Sequence, residues 1–264
     1  VQQQPDTRLY CVLSDGTCLV LTYDKDDQVA AWTTITTTNG LIEDVCVLPA
    51  EEQDEVYFIV NRNSGQRFLE KLAPEAEQLA VGTCALLDAH KVLTGSISSI
   101  TGGTQLAGWT VSTWRDGVKG ADVTLNGSGV AALGATYSRV VYGLSVQADW
   151  KSVKLAYAAQ LGTALGNTKV VHGAGLILAN SCLDGITLGG TSDMLGPLPE
   201  IVDGATRIAS QFFTHYDEDI TPINGNWDPD ARLHVRVNSA YGPVTIQGVV
   251  VDVETRDGVE ARDG

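Results

Sequence analysis

At 264 residues, with 44% hydrophobic and 19% charged residues, the chain can build a sizeable core, which excludes an intrinsically disordered segment. Its 32 acidic residues outnumber 17 basic ones for a net charge of −15, which argues against a protein that grips nucleic acid through a basic face and fits ordinary solubility. No run approaches the roughly 18 apolar residues of a membrane-spanning helix, no signal peptide is visible, and 28 glycines among many Thr and Val favour a turn-rich all-β chain. A single Met, at 194, and a Val1 start suggest a piece of a longer or processed protein.

Residues 1–7 are polar and are expected to fray. From Leu9 to Leu72 the sequence reads as three β-hairpins in series. Tyr10 to Leu13 and Cys18 to Leu21 flank Ser14-Asp15-Gly16-Thr17, where the Asp-Gly pair predicts a type I′ turn with φ > 0 at both central residues. Gln28 to Ile35 and Glu43 to Leu48 flank Thr37 to Gly40, and Glu55 to Val60 and Gln66 to Leu72 flank Asn61 to Gly65. Six short strands with regular turns are the pattern of an antiparallel sheet or of propeller blades.

Ala73 to Glu77 breaks that series as a linker, Cys84 to Asp88 is a strand or a short helix, and the Ser/Thr/Gly-rich Thr94 to Thr104 marks a boundary. A small sandwich-sized unit follows. Trp109 to Trp114 alternates into Arg115-Asp116-Gly117, Ala121 to Leu125 ends at a third Asx-Gly turn, Asn126-Gly127, and Val130 to Leu133 with Arg139 to Val146 complete it. Beyond residue 151, Lys169 to Leu178 and Cys182 to Leu188 are strand-like, and Gly189 to Pro199 is loop. Arg207 to Phe213 is ambiguous, and Ala231 to Val237 and Val244 to Val253 are closing strands around Ser239 to Pro243. Thr255 to Gly264 is a loose charged tail, and only Glu75 to Leu87 and Ile201 to Ser210 could be helical. The expected organisation is all-β. Propeller-like hairpins fill 1–74, a connecting strand and boundary 75–104, a small β-sandwich unit 105–150, and a C-terminal β domain 151–264.

Five cysteines, Cys11, Cys18, Cys46, Cys84 and Cys182, contain no CxxC pair, so a zinc site is not expected. If Asp15-Gly16 is the turn, Cys11 and Cys18 share one face of the first hairpin, diagonally placed where a disulfide is disfavoured; all five are read as reduced thiols.

The densest group of potential metal ligands is His215-Tyr216-Asp217-Glu218-Asp219, but its consecutive carboxylates diverge and no Gly turns the chain, so a solvated acidic loop is preferred. Asn224 to Asp230 has calcium-loop residues in the wrong order and no closing Glu; a turn anchored by Trp227 leading into the strand at Arg232 is preferred. No catalytic set emerges from His90, His172, His215 and His234, and Ser181 before Cys182 is no GxSxG elbow. A Cys–His nucleophile or a carboxylate pair would need partners that meet only in space. Gly102-Gly103 and Gly189-Gly190 lack the Lys of a P-loop. Trp32, Trp109, Trp114, Trp150 and Trp227 could build a sugar platform, with core packing the expected use of at least three. No catalytic, cofactor-binding or metal-binding residue is assigned.

From Leu9 onward the chain resembles the C-terminal part of the tail-nozzle family of short-tailed bacteriophages, also called tail tubular protein B. The matching residues run in order. They are Leu9 to Thr17, Leu21-Thr22-Tyr23-Asp24, Val29-Ala30-Ala31-Trp32, Asp54 to Val60, Arg67 to Leu72 and Ala85-Leu86-Leu87-Asp88. Leu106 to Val111 then leads into Asp116-Gly117, and Asn226-Trp227-Asp228 precedes Arg232, with Asn226 where the family has Gly. Gly189 to Phe213 matches least.

The resemblance implies a ring-forming, non-enzymatic part of the virion tail, hexameric at full length and assembled in the host cytoplasm among other tail proteins. Residues 9–72 would be the last portion of a β-propeller, and the chain would form part of the wall of the DNA-ejection channel. It would bind DNA only weakly and insert in no membrane. Two rivals are kept. A carbohydrate- or receptor-binding β module would show Trp109 and Trp114 side by side at the surface. A β-sandwich hydrolase would show a cleft where Asp, Glu or His converge.

Overall fold

The computed structural model describes residues 1–62, 65–74, 86–155, 158–159, 162–163, 166–202, 204–208, 210–217 and 220–256. Among them the chain is all-β, built of several small antiparallel sheets. Its described helices are single 3-10 turns, at Thr104–Leu106 and Ser239–Tyr241. Two compact units form.

The first unit takes the described residues of Val1–Leu79, Leu87–Ser112 and Asp122–Val146. Strands β1 (Thr7–Val12), β2 (Cys18–Asp24) and β3 (Val29–Ile35) make one three-stranded meander; β4 (Gly40–Leu48), β5 (Glu55–Arg62) and β6 (Gln66–Lys71) make another. The fraying expected of residues 1–7 does not hold at Thr7, which opens β1, or at buried Gln2, which exchanges two backbone hydrogen bonds with Arg8 and accepts from the Tyr10 hydroxyl. The inner faces of the two meanders share a core of Tyr10, Cys18, Val20, Ile42, Val56, Phe58 and Val60, in which the Tyr10 and Phe58 rings meet edge-on at 6.0 Å.

The β1–β2 and β5–β6 hairpins are those expected from sequence, but β3 and β4 do not pair. Thr37 to Gly40 is a crossover between sheets. The reason lies in a turn the sequence reading passed over: the Asp24 carboxylate accepts the N–H groups of Asp26 and Asp27, folding β3 back on β2.

The Asp15-Gly16 turn is not type I′. Only Gly16 has positive φ, at 83°. Gly16 N–H donates to the Leu13 carbonyl and Leu13 N–H to the Thr17 carbonyl, which closes a three-residue loop with its last residue left-handed. The Asp15 carboxylate accepts from the Thr17 hydroxyl and N–H, and those bonds hold its pKa below the usual carboxylate value. The extra loop residue shifts the register by one, pairing Cys11 with Leu19 and Val12 with Cys18. Cys18 consequently points into the core and Cys11 away from it, so the two do not share a face as expected. Burial raises the pKa of the Cys18 thiol.

A third sheet has the order β7-β10-β8-β9, from β7 (Asp88–Ile100), β8 (Thr110–Arg115), β9 (Val118–Thr124) and β10 (Ala131–Leu144); all of it but the Thr113–Ala121 tip of the β8–β9 hairpin belongs to the first unit. It packs on Ile100, Leu106, Val111, Leu125, Val140 and Tyr142. One boundary read from sequence dissolves here, and two segments merge. The stretch from Thr94 lies inside the 13-residue β7 as far as Ile100, and the two segments around Leu133 and Arg139 join in the 14-residue β10. A register shift between Ala132 and Tyr137 absorbs the glycine and small residues between those segments. The type I′ turn is real at Asp116 and Gly117, with φ of 48° and 82°. After Asn126 the left-handed residue is Gly129 and not Gly127, in a second three-residue loop closed by Asn126 N–H to the Val130 carbonyl. Cys84 and Ala85 and most of the possible helix at 75–87 lie outside the described residues.

The second unit takes the described residues of Ala80–Leu86, Thr113–Ala121 and Gln147–Gly264. Its strands are β11 (Gln147–Lys151), β12 (Ala158–Ala159), β13 (Gly162–Thr163), β14 (Thr168–Cys182), β15 (Ile186–Gly189), β16 (Gly196–Pro197), β17 (Ile201–Val202), β18 (Ala205–Thr206), β19 (Phe212–Tyr216), β20 (Thr221–Pro222), β21 (His234–Asn238) and β22 (Thr245–Arg256). One sheet runs β11-β21-β15-β16; in another, β14 pairs β19, β20 and β22. Leu176, Leu178, Leu183, Ile186, Leu188, Leu233 and Val235 fill the core. The closing strands β21 and β22 thus join different sheets. Ile201 to Ser210 contains the short β17–β18 pair and no helix among its described residues, and Thr255 belongs to β22, opposite Lys169 of β14.

Candidate functional site

The polar clusters singled out in the sequence resolve into structural roles. His215 Nε2 lies 3.2 Å from Asp217 on an exposed strand while Tyr216 between them is buried; Glu218 and Asp219 lie outside the described residues. Among the described residues no three His, Cys, Asp or Glu side chains converge on a possible metal position. Ser181 spends its hydroxyl on the backbone, donating to Ala179 and accepting from Thr245 N–H. His234 is half-buried, and burial together with Lys151, Arg232 and Arg236 lowers its imidazole pKa. The pair Gly189-Gly190 serves close backbone packing: a side chain on Gly189 would sit 2.3 Å from the Met194 carbonyl oxygen.

In Asn224 to Asp230, Asp228 exchanges two backbone hydrogen bonds with Lys169, of 2.8 and 3.0 Å, and its carboxylate accepts from Asp230 N–H. Trp227 is half-buried, with the Arg256 guanidinium 4.0 Å from the ring centroid. Partial burial and one cation–π contact set the scale for Trp227→Ala. Chemical denaturation should show a loss of about 1–3 kcal/mol; a change below a few tenths would mean the ring supports nothing.

Of the other tryptophans, Trp114 is only 4% exposed, so it cannot form a surface platform with Trp109. Trp32 is the most open, at 58%. It stands at the centre of the feature that best qualifies as a site.

The register of β1, β2 and β3 places three cross-strand rows on their outer face: Thr7–Tyr23–Ala30, Leu9–Leu21–Trp32 and Cys11–Leu19–Thr34. None of these nine residues is charged. Leu9, Tyr23 and Trp32 are exposed, and Trp32 and Tyr23 are diagonal neighbours. The inner face of the same sheet gives Tyr10, Val20 and Cys18 to the core already described, with Arg8, Thr22 and Thr33 beside them. The sheet is thus packed on a core on one side and uncharged on the other.

The outer face of β4–β6 is the opposite case. There Arg67 pairs with Glu43 at 2.6 Å and Lys71 with Glu55 at 2.5 Å, while the Tyr57 hydroxyl donates to Glu55. These bonds hold the carboxyl groups of Glu43 and Glu55 below the usual range. One sheet of the pair is dressed for water and the other is not. An uncharged face with an exposed indole and no carboxylate, imidazole or ammonium group is suited to burying apolar area against a matching surface. The sequence carried a signal for this: Cys18 to Leu21 is an unbroken apolar run, where a half-solvated strand would alternate.

No family model matches the chain, and no curated protein matches its sequence.

Proposed function

We propose that the chain is a structural wall element of the tail nozzle of a short-tailed bacteriophage. It is assembled in the host cytoplasm, works as a homo-oligomer among other tail proteins and carries no catalytic role. The observation that carries the reading is the uncharged outer face of β1–β3. A small antiparallel sheet with one face on a core and an uncharged outer face suits face-to-face stacking in a propeller, where each sheet is covered by the next. The family motifs from Leu9 to Leu72 fall on these same two meanders.

The charge balance suits such a wall. A channel lined by Lys and Arg would hold each passing phosphate and slow ejection, whereas like charge repels the duplex. With 32 acidic against 17 basic residues, the purified chain should not retard duplex DNA in a gel even at low salt. Salt-sensitive retardation at micromolar protein would overturn the slippery-wall mechanism.

A further inference from the structure

Strand β3 is an open edge. Among the described residues it pairs with β2 alone, from Cys18 opposite Ile35 to Asp24 opposite Val29 with no register shift, and its other edge takes up no backbone hydrogen bond. Six of its seven residues are exposed, so both of its faces lie open along with the edge. Every second residue of an edge strand turns its N–H and C=O outward, ready for any strand that arrives, and proteins guard such edges with charge, proline or bulges. Most edge strands of this chain follow that rule: β1, β4, β6, β7, β9, β11 and β22 each carry Lys, Arg, Asp or Glu. Strand β19 carries none, but its His215 lies 3.2 Å from Asp217. Strand β3, Val29-Ala30-Ala31-Trp32-Thr33-Thr34-Ile35, has no charge, no Pro, no Gly and no bulge.

The strand that suits this edge is the same strand of a second copy. Antiparallel pairing about Trp32 opposes Val29 with Ile35, Ala30 with Thr34, Ala31 with Thr33 and Trp32 with itself, so the whole strand is used. Each indole then has the small residues Ala30 and Thr34 of the other copy as its diagonal neighbours, which leaves it room. Charge selects the direction. Asp24 to Asp27, three carboxylates and one Lys, lies at the start of β3. Antiparallel copies hold these turns at opposite ends of the joint, whereas parallel copies would set them side by side. The sheet's far edge is guarded, because β1 carries Arg8 and Gln2 exchanges two backbone hydrogen bonds with it, so pairing closes at two copies. We infer that β3 joins two copies of the chain edge to edge into one six-stranded sheet, across which Leu9, Leu21 and Trp32 of both copies share one outer face. This contact goes beyond the wall reading, uses an edge where that reading uses a face, and does not depend on it.

The test is sedimentation of the purified chain over a range of concentrations at low and high salt. Each copy carries a net charge of −15, so a dimer should form on concentration and form more readily at high salt, where repulsion between copies is screened. Thr34→Lys, at an exposed position, sets an ammonium group in the joint and should weaken dimerisation tenfold or more with circular dichroism unchanged. Amide hydrogen exchange separates edge pairing from stacking of the outer faces: the outward N–H groups of β3 should exchange more slowly in the dimer. Cysteine substitution reads the register. Trp32→Cys puts the two Cα atoms about 5 Å apart, within disulfide reach, and Ala30→Cys puts them about 13 Å apart, so mild oxidation should give covalent dimer from the first alone. The inference is overturned if the chain stays monomeric at every concentration and salt, if Thr34→Lys dimerises as the parent does, if the β3 amides exchange alike in monomer and dimer, or if the two cysteine variants cross-link alike.

Discussion

Arg62→Met should destabilise the first unit by about 3–5 kcal/mol in urea denaturation, the usual consequence of removing one member of a buried ion pair. Arg62 ends β5 with its side chain 1% exposed. Its guanidinium donates to both Glu70 oxygens at 2.6 and 2.8 Å, to Asp88 at 2.8 Å and to the Thr38 carbonyl at 2.9 Å. Asp88 passes the connection on, accepting from the Thr37 hydroxyl and Thr38 N–H at 2.8 Å each. One side chain thus ties β5 and β6 to the β3–β4 crossover and to the first residue of β7. Burial works against the charged guanidinium, and the hydrogen bonds to Glu70 and Asp88 more than reverse this, holding its pKa above the ordinary arginine value. Methionine keeps the volume and leaves two largely buried carboxylates facing each other without a cation. Arg62→Lys restores charge without the planar fork and should recover only part of the loss. A loss under 1 kcal/mol for Arg62→Met would mean that the network is not what joins these elements.

Gly16→Val should cost about 3 kcal/mol or more. Two independent terms add. A β-branched residue held at φ of 83° is strained by roughly 1–3 kcal/mol. A Cβ at Gly16 would also lie 2.5 to 3.0 Å from Leu41 of β4, whose neighbour Ile42 donates its N–H to the Gly16 carbonyl at 2.9 Å. The loop is therefore pinned against the second meander, and relieving the overlap would break that bond, adding an overpacking cost on the order of 1–3 kcal/mol. An unchanged denaturation midpoint would contradict both the left-handed turn and its packing on β4.

Strand positions in the first 72 residues were legible because apolar runs and turn residues are local signals. Pairing was less so. The Thr37 to Gly40 stretch looks like a hairpin turn, yet which strands pair is decided by Asp24, whose carboxylate folds the chain back one turn earlier, and by Asp88, which holds Thr37 and Thr38 from 50 residues away. The type of the first turn could not be read from Asp15-Gly16 alone. A two-residue loop and a three-residue loop use the same pair, and the choice flips Cys11 and Cys18 between faces.

The same limit hides the uncharged face. Leu9, Leu21 and Trp32 are 12 and 11 residues apart and become one surface only once the register is fixed. Long-range geometry also merged the two segments of β10 and sent β21 and β22 to different sheets, which no local pattern encodes.

The central claim is that the outer face of β1–β3 is a packing surface within a ring. Electron microscopy of the purified protein addresses it directly. The account predicts rings with sixfold symmetry in which Trp32, Leu21 and Leu9 lie beneath a neighbouring sheet. Isolated globules with that face open to solvent would contradict it.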